Sequence, residues 1–283
     1  MSKPANTAGK QTTEAPTAPP EEKNDPLAYL SASRLKNYLT CPLRFFYEKV
    51  LAIPKPANAA AHLGKAVHAS LASYHTRLWR GEDASVEVVA GRFGIEFSKL
   101  EDVQPVKWEE ANDRFDAMAA GERLVRAYIA DEAGRERIRP IGVEVKLEAE
   151  ISGVPIPLVG VADLVREGNR LTDFKTTGVT PNPGLEAWQH ELQVTAYDLL
   201  IEENTGTAVS EAELVFLVKT KTPKIVRQTL PAPDATQRAR FKALAEVYVR
   251  GNERREYHPS PGQHCAWCQF RNECRRWKGG DAS

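Results

Sequence analysis

Apolar residues in the first half of the chain recur every three or four positions. Ser31 or Ser33 can cap a helix, and a second amphipathic piece follows Cys41-Pro42. Between residues 59 and 79, aliphatic side chains fall on one helical face. The same spacing predicts helices over residues 86–100 and 111–129. The first half is therefore predicted to be largely helical.

The pattern then changes to alternation. Residues 142–151 alternate aliphatic with charged side chains, which is the period-two signature of a strand. Further strands are predicted over residues 156–165 and 170–176, around a turn-forming Gly-Asn pair. A helix, two strands and a helix then follow, over residues 185–201, 213–219, 224–230 and 234–249. This order predicts a mixed sheet flanked by helices.

Composition places the chain among ordinary globular proteins. It has 283 residues, 42% hydrophobic and 27% charged, which allows one large domain or two small ones. The formal net charge of zero excludes a uniformly basic surface, although a local basic cleft remains possible. No apolar run reaches the roughly 18 residues that cross a bilayer, and no secretory signal is evident. We therefore expect a cytoplasmic protein with no membrane partner.

Both ends of the chain are polar. The first 26 residues contain no Leu, Ile, Val or aromatic residue. Such a segment cannot bury enough apolar surface to offset the entropy of ordering, so we predict a disordered tail. Residues 279–283 are expected to fray.

Three charged residues interrupt the second predicted hairpin. Asp173 and Lys175 share one face of a strand, and Asp163 lies near the end of the neighbouring strand. Burial of such groups for stability alone is unfavourable. Antiparallel pairing would bring both carboxylates within reach of one hard cation such as Mg²⁺, and Lys175 could stabilise charge on a phosphate. The site suits phosphodiester hydrolysis, with an exposed surface ion pair as the alternative.

The order of these residues carries a family resemblance. Asp163, then Asp173-Phe174-Lys175, then Gln193 and Tyr197 in QVTAY resemble the PD-(D/E)XK nuclease core in its RecB-like branch. The resemblance extends to LSASRLKNYLTCPLRFFYEKVL, LGKAVHASL and CAWCQFRNEC, and so covers most of the chain from residue 30 to 274. It implies an α/β fold with a mixed central sheet, an N-terminal helical region and a C-terminal cysteine cluster. Asp173 stands where many relatives have Glu, which the motif permits.

The resemblance also implies roles for these residues. Asp163 and Asp173 would bind a catalytic Mg²⁺ or Mn²⁺, Lys175 would be the catalytic lysine, and His68 in GKAVH would be a further metal ligand. Gln193 and Tyr197 lie one helical turn apart, so they can approach the site or the DNA backbone together. An ordinary amphipathic helix is the alternative for that pair.

Other titratable residues carry weaker signals. Glu144 could add a carboxylate at the edge of the site, but its alternation with Lys146 and Glu148 is equally typical of a solvated strand face. Four other histidines lack a comparable motif and are expected to be structural or exposed: His62, His75, His190 and His258.

The four cysteines form a one-plus-three pattern. Cys265, Cys268 and Cys274 lie near the C-terminus, and Cys41 lies far upstream. Two disulfides would be unusual in a cytosolic chain, whereas four thiolates can hold zinc or an iron–sulfur cluster. The arrangement resembles the iron–sulfur staple of AddB-type and CRISPR-associated RecB-like nucleases. It implies a [4Fe-4S] cluster in preference to zinc or free thiols, joining the two ends of the fold.

Basic and aromatic residues lie beside the cysteines. Arg271, Arg275 and Arg276, with Trp267 and Trp277, could contact phosphates and stack on bases. A solvated charged tail is an equally supported alternative.

The resemblance implies a metal-dependent DNA nuclease, an exonuclease acting on single strands or DNA ends. It would serve DNA repair, recombination, phage DNA processing or CRISPR spacer processing. No Walker A motif is present, so any helicase activity must come from a helicase or CRISPR partner protein. A catalytically inactive DNA-binding or scaffolding subunit is the alternative. The expected segments are a tail (1–26), a helical region with Cys41 and His68 (27–140), a nuclease core (141–250) and an iron–sulfur segment (251–283).

Overall fold

The helical pattern of the first half is confirmed in a computed structural model, which describes residues 23–110 and 112–279. Ser31 caps the first helix by accepting a hydrogen bond from the backbone N–H of Arg34 at 3.2 Å. A π-helix, Phe46–Val50, continues the second helix. The α-helices of this part are α1 (Ala32–Thr40), α2 (Pro42–Phe45), α3 (Ala59–Arg80), α4 (Val86–Gly91), α5 (Phe93–Val103) and α6 (Asp113–Ala133).

The single helix predicted over residues 86–100 is divided into α4 and α5 at Arg92. Gly91 and Gly94 flank the break, and glycine lowers helix propensity by about 1 kcal/mol relative to alanine. The break also allows Val89 on α4 and Phe93 on α5 to enter the same core. A two-residue parallel pair, β1 (Ala57–Asn58) with β2 (Val106–Lys107), was not predicted, because so short a strand has no period.

Five strands in the described part of the chain form the predicted mixed sheet, in the order β3-β4-β5-β6-β7. Neighbours are antiparallel except β5 and β6, which are parallel because a long helix, α7 (Pro183–Thr205), connects them. The strands are β3 (Pro140–Ala149), β4 (Leu158–Arg166), β5 (Arg170–Thr177), β6 (Glu211–Val218) and β7 (Lys224–Pro231). A helix α8 (Ala235–Glu253), a 3-10 helix (Gln263–Trp267) and α9 (Arg271–Arg276) follow.

Helices cover both faces of this sheet, and each face has its own apolar core. The N-terminal helices α1 and α2 pack with α7 and α8 on one face, around residues such as Phe45 and Tyr248. On the other face, α3 to α6 pack around residues such as Phe93 and Tyr128. Along β5, Leu171 enters the first core and Phe174 the second, as alternation requires. The polar residues of β5 are therefore enclosed between two helical layers.

The structure describes only part of the two terminal segments that were predicted to be disordered or frayed. Residues 1–22 of the predicted tail lie outside the described residues. The last part of that tail is held by the fold, since the N–H groups of Lys23 and Asn24 donate to the Val50 carbonyl oxygen, and Tyr248 donates to that of Pro26 at 2.7 Å. Of the end predicted to fray, only Gly279 is described. Across the described ranges, none of the helices combines the length and apolar character that a membrane span needs.

Candidate active site

The hairpin of β4 and β5 brings two acidic residues together. Its register pairs Leu164 with Thr172, which places Asp163 opposite Asp173 at the next position. The strand ladder ends there, and the Asp163 carboxylate accepts a hydrogen bond from the Phe174 N–H at 2.8 Å. The Asp163 side chain therefore accepts a hydrogen bond that a backbone carbonyl oxygen of the neighbouring strand would otherwise accept.

Asp173 is enclosed at the centre of this arrangement. Its side chain is only 2% exposed, and its Oδ2 lies 2.6 Å from Nζ of Lys175. Burial raises the pKa of Asp173, and the nearby Lys175 ammonium opposes that shift. The exposed surface ion pair that the short motif allowed is therefore excluded. The buried Asp173 and the half-buried Lys175 form an ion pair whose hydrogen bonds come from another element of the fold.

Helix α7 supplies those hydrogen bonds through Gln193 and Tyr197. The Gln193 side-chain oxygen accepts from Nζ of Lys175 at 2.7 Å, and its amide nitrogen donates to Asp173 at 2.8 Å and to the Tyr197 hydroxyl at 3.1 Å. Tyr197 in turn donates to the Val161 carbonyl oxygen at 2.8 Å. Burial and the Asp173 carboxylate raise the pKa of Tyr197, so its hydroxyl stays protonated as a donor.

The contact between α7 and β4 requires a glycine. A Cβ at Gly160 would lie 3.0 Å from both the Tyr197 ring and the Leu200 side chain. Because those two side chains are buried in the core, neither can move aside easily. Gly160 thus allows α7 to approach closely enough for its two predicted site residues to reach β5.

His68 reaches the site from the opposite helical layer. Nδ1 of His68, on α3, lies 3.3 Å from Oδ1 of Asp163. Burial lowers the pKa of His68, but the hydrogen bond and negative charge of Asp163 outweigh it, and the net shift is upward. The helix thus brings a residue 95 positions away in sequence to the predicted partner.

Glu144 completes a group of three possible ligands with His68 and Asp163. One ligand atom from each of these residues lies within 4.8 Å of the others. Desolvation in the cleft and the Asp163 charge raise the pKa of Glu144. Its backbone φ of 49° is in the left-handed region, which costs on the order of 1 kcal/mol for a residue with a Cβ. The sequence suggested Glu144 only weakly, from its place at the start of the strand meander, because its alternation is equally typical of a solvated strand face.

This donor set fits a divalent cation. Carboxylate oxygens suit Mg²⁺ and Mn²⁺, an imidazole is compatible with Mn²⁺, and a cation would offset repulsion between the carboxylates. A cleft of about 560 Å³ opens onto these residues, so the site is accessible from solvent. Asp173, the other predicted ligand, lies outside the group of three, and its two oxygens face Lys175 and Gln193. Its direct coordination of the metal stays a prediction.

A second candidate site joins the two ends of the fold. The four cysteines line one cavity of about 50 Å³, to which the start of α2 contributes Cys41 and the C-terminal segment contributes Cys265, Cys268 and Cys274. Burial and the three other cysteines raise the pKa of the Cys274 thiol. The long-range approach of Cys41 to the C-terminal cysteines is therefore present in the fold.

The spacing of the cysteine sulfurs is wider than that of a zinc site. Tetrahedral zinc, with Zn–S bonds of about 2.3 Å, holds its sulfur ligands roughly 3.8 Å apart. Within residues 23–110 and 112–279, no three cysteine sulfurs lie within 4.8 Å of one another. The binding of an iron–sulfur cluster or of zinc by these cysteines stays a prediction.

The basic residues beside the cysteines differ in their surroundings. Arg271 donates to the carbonyl oxygens of Cys265 at 2.8 Å and Ala266 at 2.5 Å, so it braces the cysteine loop. Arg275 and Arg276 are exposed, and Trp267 is 70% exposed. A role for the arginines in DNA binding stays a prediction.

The histidines without a motif include one that lies beside the site. His62 and His75 are buried and His258 is exposed, as expected. His190, on α7, lies 3.4 Å from Glu186, and burial together with the charges of Lys175 and Lys36 lowers the pKa of His190 to about 4. His190 is therefore a neutral neighbour of Lys175. The only sequence signal for this position was the helical spacing between His190 and Gln193.

Comparisons with known proteins agree with this architecture. The family model described as the PD-(D/E)XK nuclease superfamily matches residues 29–275. A solved structure from Eubacterium rectale, provisionally named an exonuclease, is similar with a TM-score of 0.55 and 15% identity over 89% of each chain. The structure of SSO0001 gives a TM-score of 0.44 and 14% identity over 92% of this chain and 90% of that one. No curated protein matches. Because the family model spans most of the sequence and the mixed sheet has the expected form, the chain belongs to the PD-(D/E)XK nuclease superfamily.

Proposed function

We propose that the protein is a divalent-cation-dependent DNA nuclease that hydrolyses phosphodiesters beside Asp163, Asp173 and Lys175. The observation that carries this proposal is the position of Lys175. Its ammonium is held between Asp173 and Gln193, next to a group of three residues able to bind a cation. A binding module has no need for a lysine held in this way beside a buried carboxylate.

The residues divide the chemistry between them. Asp163, Glu144 and His68 would hold Mg²⁺ or Mn²⁺, with Asp173 beside them. When bound, the cation supplies Lewis-acid polarisation of the phosphate and lowers the pKa of a water. The Lys175 ammonium donates one hydrogen bond to Gln193 and forms an ion pair with Asp173, and a further N–H can orient the attacking water or offset charge on the phosphate. Gln193 and Tyr197 keep that ammonium in place.

The proposed substrate is DNA with an accessible end, either single-stranded or duplex. The named exonuclease from Eubacterium rectale has a similar fold, which supports this mode of action by analogy. The pathway would be DNA repair, recombination, phage DNA processing or CRISPR spacer processing, alongside a helicase or CRISPR partner protein. The proposed location of the protein is the cytoplasm.

The proposed cofactor of the second site is a [4Fe-4S] cluster bound by Cys41, Cys265, Cys268 and Cys274. Their shared cavity and the wide spacing of their sulfurs support it. In this position the cluster would be architectural, because it ties the beginning of the fold to its end. Zinc is the alternative.

The direct test is a cleavage assay on end-labelled linear single strands, linear duplexes and circular single strands, with Mg²⁺ or Mn²⁺. We expect the linear DNA to be degraded and the circular DNA to be spared. Cleavage of circular DNA at a similar rate would indicate an endonuclease instead. DNA binding without cleavage under both metals would favour the scaffolding alternative, and a wild-type rate in purified Asp173→Asn would show that cleavage does not depend on this site.

A further inference from the structure

A second cleft adjoins the proposed catalytic site. It has a volume of about 710 Å³ and lies between α1, α7 and β3. Gln193 and Tyr197 form part of its wall, and Val161 lines both this cleft and the one that opens onto the candidate metal ligands. The two clefts therefore adjoin at Val161, and we call the larger one the α1–α7 cleft.

Lys36, on α1, is a basic residue of the cleft whose ammonium is close enough to Lys175 to interact with its charge. Its ammonium donates to the Gln189 carbonyl oxygen at 3.2 Å, and in the described part of the chain it forms no ion pair with a carboxylate. The side chain remains exposed, so an incoming anion can reach it. Partial desolvation and the Lys175 ammonium lower the pKa of Lys36. The cationic Lys36 of the cleft and Lys175 of the catalytic site therefore lie close enough to interact.

The other charged groups around Lys36 do not compensate for this concentration of positive charge. The Glu186 carboxylate raises the pKa of Lys36, but burial and the Lys175 charge outweigh it, and the net shift is downward. On β3, Lys146 adds a further positive charge and Glu148 a negative one. Ammonium groups that repel each other are stabilised when an anion binds between or beside them.

The size of the cleft limits what that anion can be. A volume of about 710 Å³ is within the range of small-ligand sites, about 300–1,000 Å³. It can take one or two nucleotides of an unpaired strand, but it is too small for a duplex. Successive phosphates of one strand would then lie beside Lys175 and beside Lys36.

We infer that the α1–α7 cleft binds the unpaired strand next to the scissile bond, and that Lys36 binds the phosphate adjacent to the scissile phosphate. This inference rests on the proposed nuclease function. Lys36 is a positioning residue, since it acts on a neighbouring phosphate and does not touch the reacting atoms.

The test separates binding from cleavage. Binding of a labelled single-stranded oligonucleotide is measured in EDTA at several salt concentrations for the wild type, Lys36→Ala, Lys36→Gln and Lys36→Arg. We expect both neutral variants to raise Kd about tenfold and to reduce the slope of log K against log salt by about 0.7, the value for one lost phosphate contact on a single strand. Lys36→Arg should restore most of the affinity. The control is Lys242→Ala on α8, which lines neither cleft and should bind as the wild type does.

Several outcomes would overturn the inference. They are an unchanged salt slope in both neutral variants, an equal loss in Lys242→Ala, or a wild type that binds no single strand. Steady-state kinetics on the same strands should show a raised KM with a smaller change in kcat for Lys36→Ala. If the wild type binds and the Lys36 effect appears but no metal supports cleavage, the proposed nuclease function fails while the binding site stands.

Discussion

Gln193 accepts a hydrogen bond from the Lys175 ammonium at 2.7 Å, across the interface between α7 and β5. The same side chain donates to Asp173 at 2.8 Å, so one amide holds both charged residues of the strand. An amide suits this position because it has an acceptor for the ammonium and two donors for the carboxylate and the Tyr197 hydroxyl. The helix thus orients the pair on the strand.

Gln193→Leu should reduce kcat about 10- to 100-fold, because it removes the hydrogen bonds to Lys175, Asp173 and Tyr197 while keeping a similar volume. Tyr197→Phe, which loses one hydroxyl and keeps the ring, should have a smaller effect. Single-turnover cleavage at saturating metal measures both, and thermal melting checks the fold. A wild-type rate in Gln193→Leu would show that the position of Lys175 does not depend on α7.

Lys175→Ala should lower the cleavage rate by at least about 100-fold, because it removes a preorganised positive charge from the site. Metal binding should persist, since the possible ligands are His68, Glu144 and Asp163. Asp173→Ala should be equally inactive. Single-turnover rates measure cleavage, and Mn²⁺ titration by electron paramagnetic resonance measures metal binding. Retention of the wild-type rate in either purified variant would remove the proposed site.

Glu144→Gln should weaken cation binding about tenfold, because a neutral amide replaces one carboxylate of the candidate metal site. Rates at saturating Mn²⁺ should approach the wild-type value. His68→Ala should behave similarly, with Mn²⁺ relieving the defect better than Mg²⁺. The readout is the metal concentration at half-maximal activity, with Glu150→Gln as the control. Equal midpoints for Glu144→Gln and the control would exclude Glu144 from the metal site.

Cys41→Ser should remove the proposed iron–sulfur cluster and lower the melting temperature, because Cys41 is the cysteine that joins the N-terminal helices to the C-terminal cysteines. Anaerobically purified wild type should be brown and contain iron and sulfide, and the variant should be bleached. Stoichiometric zinc without iron in the wild type would assign the site to zinc. Unchanged metal content and melting in Cys41→Ser would mean that Cys41 binds no metal.

Acid should destabilise the protein partly through His75. Burial, with the charges of Arg166 and Arg227, lowers the pKa of His75 to about 3, below its ordinary value of 6.5. Between these values the unfolded chain binds a proton that the folded protein does not. This residue therefore makes the free energy of unfolding fall as pH decreases, by up to about 1.4 kcal/mol per pH unit.

His75→Phe should make that dependence shallower between pH 6.5 and 5. At pH 7.5 the variant should be less stable by about 1–3 kcal/mol, because the Tyr128 hydroxyl loses its partner 2.7 Å away. Urea unfolding across this pH range measures both quantities. His258→Gln, at an exposed position, should keep the wild-type slope, and an unchanged slope in His75→Phe would show that His75 is not responsible.

The sequence by itself determined the features that depend on short-range periodicity. The two-residue period of β5 placed Asp173 and Lys175 on one face, and helical spacing placed Gln193 and Tyr197 together on α7. In the structure, Asp173 and Lys175 form an ion pair, and Gln193 and Tyr197 are joined by a hydrogen bond. Such neighbours are fixed by local backbone geometry, so their proximity does not depend on how the rest of the chain packs.

Only the tertiary structure decided which distant groups meet these faces. Glu144 and Glu148 have the same place in the alternation of β3, yet Glu144 alone of the two joins His68 and Asp163. The difference arises from the pairing of β3 with β4 and from the left-handed backbone at Glu144. Lys36 likewise contacts Gln189 on α7 only because α1 packs against that helix. Periodicity specifies the direction of a side chain on its own element, whereas the element packed opposite depends on long-range burial of apolar surface, which no local pattern encodes.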